Sequence, residues 1–380
     1  MREKQIQMVD LQGQYRRLQH EIDPAMQEVL AGCAFINGPQ VAAFSRHLAE
    51  YLRIPHVIPC GNGTDALQIA LMALDLRPGD EVIVPAFTYV AAAEVVALLG
   101  LVPVWVDVDP LTFNLDPARV EAAIGPRTKA IIAVHMFGQC CAMERLLSLA
   151  QKHGLYLIED NAQSLGSRYT FSDGTRKQAG TMGHIGTTSF FPSKPLACYG
   201  DGGALFTTSD VLAGRLKMIA NHGQLTKYHH QVVGCNSRLD TLQAAVLDVK
   251  LRHLDAFTQA RVAAARRYDE GLAGLPGVCL PQVSAFSTHV YHQYTLQLEE
   301  GKRDAVQQRL QAEGVPSMIY YPLPLHRQEA LRGIARMPQP AETAERLSRT
   351  VLSLPMHTEL GEEEQAYIID KVKEAVAAAG

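Results

Sequence analysis

The 380-residue sequence lacks any long uninterrupted apolar run and any Lys/Arg cluster that stands out. Its most apolar stretch, residues 82–106, is interrupted by Pro85, Glu94 and Gly100 and is too broken to span a bilayer. Lys and Arg number 35 and Asp and Glu 39, which gives a net charge of −4. We therefore expect neither a membrane segment nor a nucleic-acid surface. Residues 1–12 lack the apolar core of a signal peptide, so the expected location is the cytoplasm.

Motifs that bind metals or form disulfide frameworks are also missing. The seven cysteines are odd in number and form no CxxC pair, and no HExxH motif occurs among the 14 histidines. This usage is typical of reduced, mostly buried thiols in a reducing compartment. We therefore expect no metal site.

A chain of this length exceeds a single hydrophobic core, so we expect a large domain and a smaller one. Over about residues 59–208, short β-rich runs alternate with helical patterns, which predicts a mainly parallel sheet buried on both faces. The predicted strands are 81–84, 102–106, 130–134, 155–159, 187–191 and 204–207, and the predicted helices are 65–76, 90–99, 117–123 and 142–153. The fold class is therefore α/β, with the large domain over residues 1–250.

The last third of the chain differs in pattern. Residues 238–270 show an apolar stripe that is typical of one long helix. Beyond Gly277, strands and shorter helices indicate a smaller α+β domain over residues 251–380. Its predicted elements are strands at 291–298 and 315–321 and helices at 304–314 and 362–379.

Four segments combine residue types that bind anions or perform chemistry. The first, Gly-Asn-Gly-Thr-Asp at residues 61–65, begins an apolar helix. Small residues let backbone N–H groups approach an anion, and a helix N-terminus favours negative charge. A plain helix cap explains the segment equally well, because Thr and Asp both cap helices.

The second segment ends a predicted strand with Glu159 and Asp160, followed by Asn161-Ala162-Gln163. Ligands of α/β folds bind at the carboxyl ends of parallel strands. A carboxylate there can pair with the protonated nitrogen of a pyridine cofactor. From position alone, an acid that caps the next helix is a somewhat better explanation.

The third segment runs from Thr187 to Lys194, and glycines follow it at residues 200–203. Most lysines are simple surface residues. Here hydroxyl groups precede the lysine, and the glycines after it permit close backbone packing. A lysine removed from water has a lowered pKa and can condense with an aldehyde.

The fourth segment places Asn236, Ser237 and Arg238 at the start of a predicted helix. An Asn amide can donate to a phosphate, and an Arg guanidinium can bind a planar oxyanion. The alternative is a helix cap followed by an ion pair between Arg238 and Asp240.

In this order, the four segments resemble the DegT/StrS-type nucleotide-sugar aminotransferases, a branch of the fold-type I pyridoxal-phosphate enzymes. The resemblance covers nearly the whole chain, and its most specific stretches are SFFPSKPLACYGDGGA and NSRLDTLQAA. It implies a pyridoxal phosphate cofactor that passes through a pyridoxamine phosphate form. It also implies glutamate as the amino donor, a nucleotide-linked keto sugar as the acceptor, and a homodimer with shared active sites.

The resemblance assigns roles to individual residues. Lys194 would bind the cofactor covalently and carry protons, and Asp160 would hold the pyridine nitrogen. Gln163 would lie beside the ring hydroxyl, and Tyr89 would stack on the ring. The phosphate would be held by Gly63, Thr64, Asp65 and Ser189 and by Asn236 of the partner subunit.

Residues 192–200 and 223–238 look closest to aminotransferases of hexuronic-acid pathways, which aminate C3 of a UDP-linked 2-acetamido-3-keto-glucuronate for surface polysaccharides. A substrate carboxylate needs a charged donor, which Arg238 offers. Its expected helpers are His230, His326 and Tyr321.

Two alternatives remain from the sequence. One is a 4-keto-hexose acceptor. The other is a pyridoxamine-dependent sugar dehydratase, although the dehydrating branch of the family has His where this chain has Lys194. His184 stands where many relatives have Asp, and the sequence gives it no role.

Overall fold

The computed structural model describes residues 5–379. Its α-helices are α1 (Leu11–Gly32), α2 (Pro39–Leu52), α3 (Gly63–Met72), α4 (Ala91–Leu98), α5 (Pro117–Ala123), α6 (Met143–His153), α7 (Asp210–Ala220), α8 (Thr241–Leu251), α9 (Leu254–Leu272), α10 (Arg303–Ala312), α11 (Glu342–Thr350) and α12 (Glu362–Ala379). Its strands are β1 (His56–Cys60), β2 (Glu81–Pro85), β3 (Val102–Val106), β4 (Thr128–Val134), β5 (Tyr156–Asp160), β6 (Arg168–Thr170), β7 (Arg176–Gln178), β8 (Ile185–Ser189), β9 (Gly203–Thr207), β10 (Gln224–Thr226), β11 (His229–His230), β12 (Val278–Cys279), β13 (Tyr294–Leu298) and β14 (Val351–Leu354).

A seven-stranded sheet forms the centre of the larger part, in the order β1-β9-β8-β5-β4-β2-β3. The five strands β8, β5, β4, β2 and β3 are parallel to one another, whereas β9 runs antiparallel to both β8 and β1. Strands β2 and β9 are buried at every residue, as a sheet covered by helices on both faces requires. The predicted α/β fold of mainly parallel strands is therefore confirmed.

All six strands predicted for this sheet are present, each within two residues of its predicted bounds. Strand β1 has no counterpart among the predictions. It contains Pro59, which usually argues against a strand because proline has no N–H to donate. Here β1 lies at the sheet edge and pairs only with β9, so the N–H that Pro59 lacks costs the sheet little stability.

The prediction of one long helix over residues 238–270 is wrong. The chain turns at Arg252 and His253, between α8 and α9. Helix α8 packs against α1 and α2, and the start of α9 belongs to the same cores through Leu254 and Phe257. From Ala264 onward, α9 packs against α12 and the sheet β12-β13-β14.

The smaller part contains the antiparallel sheet β12-β13-β14, covered by α9, α10 and α12. The predicted strand over 315–321 is wrong, since only Met318 pairs there, with Ser353. Pro316 lacks the N–H that a longer ladder would use. The strand predicted from 291 begins only at Tyr294, because Tyr291 has a positive φ of 48°. The domain boundary expected between residues 250 and 251 lies in the last turn of α8 and stays a prediction.

Within residues 5–379, none of the helices combines the length and the apolar character that a membrane-spanning helix requires. Within the same residues, no group of three or more His, Cys, Asp or Glu side chains is arranged to hold a metal ion.

Candidate active site

A cavity of about 510 Å³ opens at the carboxyl ends of three neighbouring strands. Val134, Asp160 and Ser189, the last residues of β4, β5 and β8, line it together with Lys194. Parallel strands bring their carboxyl ends to one edge of the sheet, which is where α/β folds bind ligands. The second and third sequence segments therefore meet in one place.

Asp160 is held tightly at the end of β5. Its side chain is only 9 % exposed, and Oδ1 accepts the Ala162 N–H at 3.0 Å. Burial raises the pKa of Asp160, while the Ala162 N–H and the charge of Lys194 oppose that rise. A carboxylate so placed is suited to pair with a cationic group that enters the cavity.

The residue before it, Glu159, is fully buried and does not face the cavity. Its carboxylate accepts hydrogen bonds from His135 Nε2 at 2.8 Å and from the backbone N–H groups of Gly180, Met182 and Gly183 at 2.9, 2.6 and 2.5 Å. His135 Nδ1 accepts the Cys141 N–H, which leaves Nε2 as the donor to Glu159. The backbone N–H of His135 donates to the Asp160 carbonyl. Because Glu159 holds the His135 ring, this network fixes the backbone of Asp160.

Lys194 lies in the turn that follows β8, where its N–H donates to the Phe191 carbonyl at 2.8 Å. Removal from water lowers the pKa of the Lys194 amine to about 8, and the charge of Asp160 opposes this shift. A much larger fraction of the amine is therefore neutral near pH 7 than for an exposed lysine. Neutral amines are the nucleophiles that attack aldehydes.

The N-terminus of α3 forms the anion-binding end of the cavity. Gly63 begins this helix so close to β8 that a Cβ on it would lie 2.6 Å from the Ser189 Cβ, so only glycine fits. Gly63, Thr64 and Ser189 all line the cavity. Helix N–H groups and two hydroxyls are a suitable cradle for a phosphate.

Asp65 does not turn its side chain into this cradle. Its carboxylate accepts the Ser237 hydroxyl at 2.6 Å, and its N–H donates to Asn62 Oδ1 at 2.8 Å. Ser237 in turn accepts the Gly61 N–H at 2.9 Å. The carboxylate thus joins the first and fourth sequence segments, and the phosphate contact expected of Asp65 stays a prediction.

Aromatic and amide groups complete the cavity. Tyr89 and Tyr321 both line it, with ring centroids 6.3 Å apart. Gln163 accepts the Phe137 N–H at 2.9 Å through Oε1 and directs Nε2 to the Tyr321 hydroxyl at 3.4 Å. Burial raises the pKa of Tyr321, which therefore keeps its proton.

Besides Asp65, four predicted site residues lie outside this cavity. Asn236 is exposed and forms an isolated antiparallel β-bridge with Asn221. His230 is also exposed, and its Nδ1 lies 2.8 Å from the His222 carbonyl oxygen. His326 Nε2 lies 2.9 Å from a Glu345 carboxylate oxygen. Their binding roles stay predictions.

The fourth of these residues is Arg238. It does not line the cavity, and no ion pair joins it to Asp240 within residues 5–379. The structure of a single chain therefore does not support the alternative in which Arg238 only stabilises the helix through an ion pair with Asp240. Its role in substrate binding stays a prediction.

Other cavity residues were not predicted. Ser193 and Asp201 belong to the recognised third segment, so their position could have suggested them. His292, Gln293 and Tyr320 come from the part of the chain beyond α9, and no motif marks them. All five, together with Asn62 and Thr88, line the cavity.

His184 has a structural explanation. Its Nδ1 accepts the Leu157 N–H at 3.0 Å, and its own N–H donates to the Leu157 carbonyl. Its ring packs edge-on against Tyr156. Burial lowers the pKa of His184, which keeps Nδ1 free to accept. His184 thus fastens the start of β8 to β5, behind the cavity.

Each part of a pyridoxal phosphate molecule finds a matching group here. The α3 N-terminus with Thr64 and Ser189 suits its phosphate, Asp160 suits its ring nitrogen, and the Lys194 amine suits its aldehyde. This site on this fold defines a pyridoxal-phosphate enzyme of fold type I.

Comparison with known proteins names the family. Residues 16–373 match the DegT/DnrJ/EryC1/StrS aminotransferase family. The chain is 46% identical over 353 residues, 93% of this chain and 95% of the relative, to UDP-2-acetamido-2-deoxy-3-oxo-D-glucuronate aminotransferase of Pseudomonas aeruginosa. It is 45% identical over 368 residues, 97% of each chain, to UDP-N-acetyl-3-dehydro-alpha-D-glucosamine 3-aminotransferase of Acidithiobacillus ferrooxidans.

A solved DegT/DnrJ/EryC1/StrS aminotransferase from Brucella abortus superposes with a TM-score of 0.92 at 43% identity, covering 97% of this chain and 99% of that one. The chain therefore belongs to the DegT/DnrJ/EryC1/StrS family of pyridoxal-phosphate-dependent aminotransferases. It is a nucleotide-sugar aminotransferase.

Proposed function

We propose that this enzyme transfers the amino group of glutamate to C3 of UDP-2-acetamido-2-deoxy-3-keto-glucuronate. The observation that supports amino transfer is the placement of Lys194 and Asp160 on one cavity. The name of the 46% identical P. aeruginosa relative supports the uronate substrate. We place the reaction in the cytoplasm, in the synthesis of a surface polysaccharide such as the O-antigen of lipopolysaccharide.

Pyridoxal phosphate, when bound, supplies an aldehyde that condenses with amines and a ring that accepts electrons. Asp160 would accept a hydrogen bond from the ring nitrogen and so keep its proton in place. Lys194 would act as base and acid: its neutral Nζ would accept the proton of the glutamate α-carbon and then release it to the former aldehyde carbon. The same amine reverses these transfers when the keto sugar receives the amino group.

The fixed position of Asp160 matters for this chemistry. Its backbone is held by His135, and its Oδ1 by the Ala162 N–H, before any ligand enters. An electrostatic group that is already oriented costs no reorganisation when charge develops on the ring. Lys194, by contrast, lies in a turn, where its side chain can move between two reacting carbons.

The proposed dimer follows from the loop that holds Asn236 and Arg238. Beside this loop, Leu225 and Tyr228 of the β10–β11 hairpin and Val233 just after it are 63%, 78% and 86% exposed. Large apolar side chains that are exposed in one short segment are common at interaction sites. We infer that this hairpin packs on a second copy and brings Asn236 and Arg238 of the partner subunit into the Lys194 cavity.

A second candidate substrate is supported by the A. ferrooxidans relative, whose name contains UDP-N-acetyl-3-dehydro-glucosamine. This sugar has a neutral C6 group where the uronate has a carboxylate. Arg238 is the residue expected to distinguish them, because guanidinium binds carboxylate through two parallel hydrogen bonds. A 4-keto hexose and sugar dehydration are the remaining alternatives, and the Lys194 amine disfavours the latter.

The test is to incubate the enzyme with glutamate and each nucleotide keto sugar, and to measure kcat/KM for the uronate, the neutral 3-keto sugar and a 4-keto hexose. We expect the uronate to be preferred. Arg238→Lys should weaken use of the uronate more than use of the neutral sugar, by about 1–3 kcal/mol for a charge-assisted hydrogen bond. Arg252→Lys, at a surface ion pair with Glu21, is the matched control. Equal losses on both sugars, or a preference for the 4-keto hexose, would show that the substrate is different.

A further inference from the structure

A second cavity, of about 300 Å³, lies apart from the Lys194 cavity and shares no residue with it. It opens between the end of α2 and the β6–β7 hairpin. Four cationic side chains line it, and no Asp or Glu does: Arg53, Arg168, Arg176 and Lys177. The local charge is thus strongly positive in a chain whose net charge is −4.

These four cations are also unpaired. Within residues 5–379, none of them lies within 4.0 Å of a carboxylate oxygen, whereas other cations of this chain, such as Arg17 and Arg336, have carboxylate partners. The carboxylate of Asp255 lines a neighbouring cavity with Arg168 and accepts the Tyr51 hydroxyl at 2.9 Å. Like charges that converge on one concavity repel each other, and a bound anion would relieve that repulsion.

Neutral polar groups complete the walls. Gln178, Thr181 and Thr208 line the cavity beside the cations. Gln178 Oε1 is buried and has no hydrogen-bond partner. The Gln178 amide N–H groups and the Thr208 hydroxyl are donors that can contact the oxygens of an anion bound by the cations.

We propose that this cavity binds a diphosphate group, either as free pyrophosphate or as part of a nucleoside diphosphate. Three arginines provide planar forks that bind phosphate oxygens in pairs, and Lys177 adds a point charge. Two linked phosphates match a cluster of four cations better than a single carboxylate does. The site does not depend on the identity of the keto sugar.

The experiment uses the enzyme with its cofactor bound, at low ionic strength and without divalent metal. Isothermal titration calorimetry measures the binding of inorganic pyrophosphate and, separately, of UDP. Arg176→Gln combined with Lys177→Gln removes two of the four charges on an exposed hairpin. Lys217→Gln combined with Lys373→Gln makes the same charge change at exposed sites elsewhere and is the control.

We expect the wild type and the control to bind pyrophosphate and the hairpin variant to bind it at least about tenfold more weakly, with unchanged aminotransferase activity. If UDP binds at two sites per chain in the wild type and at one in the variant, the cavity accepts a nucleoside diphosphate. If the wild type and the hairpin variant bind UDP equally while the variant binds pyrophosphate more weakly, the cavity accepts free diphosphate. Equal pyrophosphate binding in all three proteins, or no binding to the wild type, would overturn the proposal.

Discussion

The amine of Lys194 and the carboxylate of Asp160 face one cavity and act on each other's protonation. Burial lowers the pKa of Lys194 to about 8, and Asp160 opposes that shift. Burial also raises the pKa of Asp160, and Lys194 opposes that in turn. The pair therefore holds a reactive amine and an ionisable acid in one buried place, which is typical of functional sites.

The first prediction concerns the covalent bond to the cofactor. Lys194→Ala removes both the amine that binds the aldehyde and the proton carrier, so turnover should be essentially abolished. The purified wild type should show a visible absorbance that borohydride abolishes while fixing the cofactor covalently to the protein, and the variant should show neither effect. Lys217→Ala, on the exposed face of α7, is the control. Full activity of the Lys194 variant would remove this lysine from the mechanism.

The second prediction concerns pH. Only the neutral amine reacts, and with a pKa of about 8 its fraction rises as the pH increases through 8. The rate at which the cofactor-free protein takes up pyridoxal phosphate should therefore rise roughly tenfold from pH 7 to 9 and then level off. Because Asp160 raises the pKa of Lys194, Asp160→Asn should move this profile to lower pH. A rate that still rises steeply above pH 9 would contradict the lowered pKa.

The third prediction concerns Glu159. Glu159→Gln keeps the size of the side chain but leaves only one oxygen for four donors, so buried N–H groups lose their acceptor. The free energy of unfolding should fall by about 1–3 kcal/mol for each buried N–H that loses its charged acceptor. Urea unfolding at fixed protein and cofactor concentration measures it.

Glu300→Gln is the control, since Glu300 pairs with Arg349 on the surface. Its effect should stay within about 1 kcal/mol. If both variants unfold at the same urea concentration as the wild type, Glu159 does not anchor the backbone of Asp160.

The fourth prediction concerns the dimer. If Asn236 of the partner subunit completes each site, mixing Lys194→Ala chains with Asn236→Ala chains should regenerate some sites with both residues intact. Activity should then appear in the mixture although each parent is inactive. Heterodimers that form but stay inactive would instead indicate that each site is built from a single chain.

The sequence predicted the elements whose signal is local. Residues 102–106 and 117–123 have the predicted bounds, because an apolar β-rich run marks the first and Asp116 with Pro117 marks the start of the second. The places of Asp160 and Lys194 after apolar strands were also noted, whereas their roles were implied only by the resemblance to the family. Local pattern therefore predicts where such a side chain lies but not what it does.

Features that depend on distant contacts were not predicted. The break between α8 and α9 at Arg252 is one example, and no residue there signals it; α9 shares cores with α8 through Leu254 and Phe257 before it packs against β13. His292 and Gln293 enter the cavity from beyond α9, through tertiary packing alone. The hydrogen bond between the Asp65 carboxylate and the Ser237 hydroxyl, 172 residues away, was likewise not predicted.

The Glu159 network has a consequence for how such enzymes diverge. Glu159 and His135, which fix the backbone of Asp160, do not line the cavity, whereas Arg238, His230 and His326, the residues predicted to bind the sugar, lie outside the cavity floor. Changes among the outer residues therefore leave the floor intact. A lineage can acquire a new sugar by exchanging these outer residues one at a time, while it inherits the same chemistry unchanged.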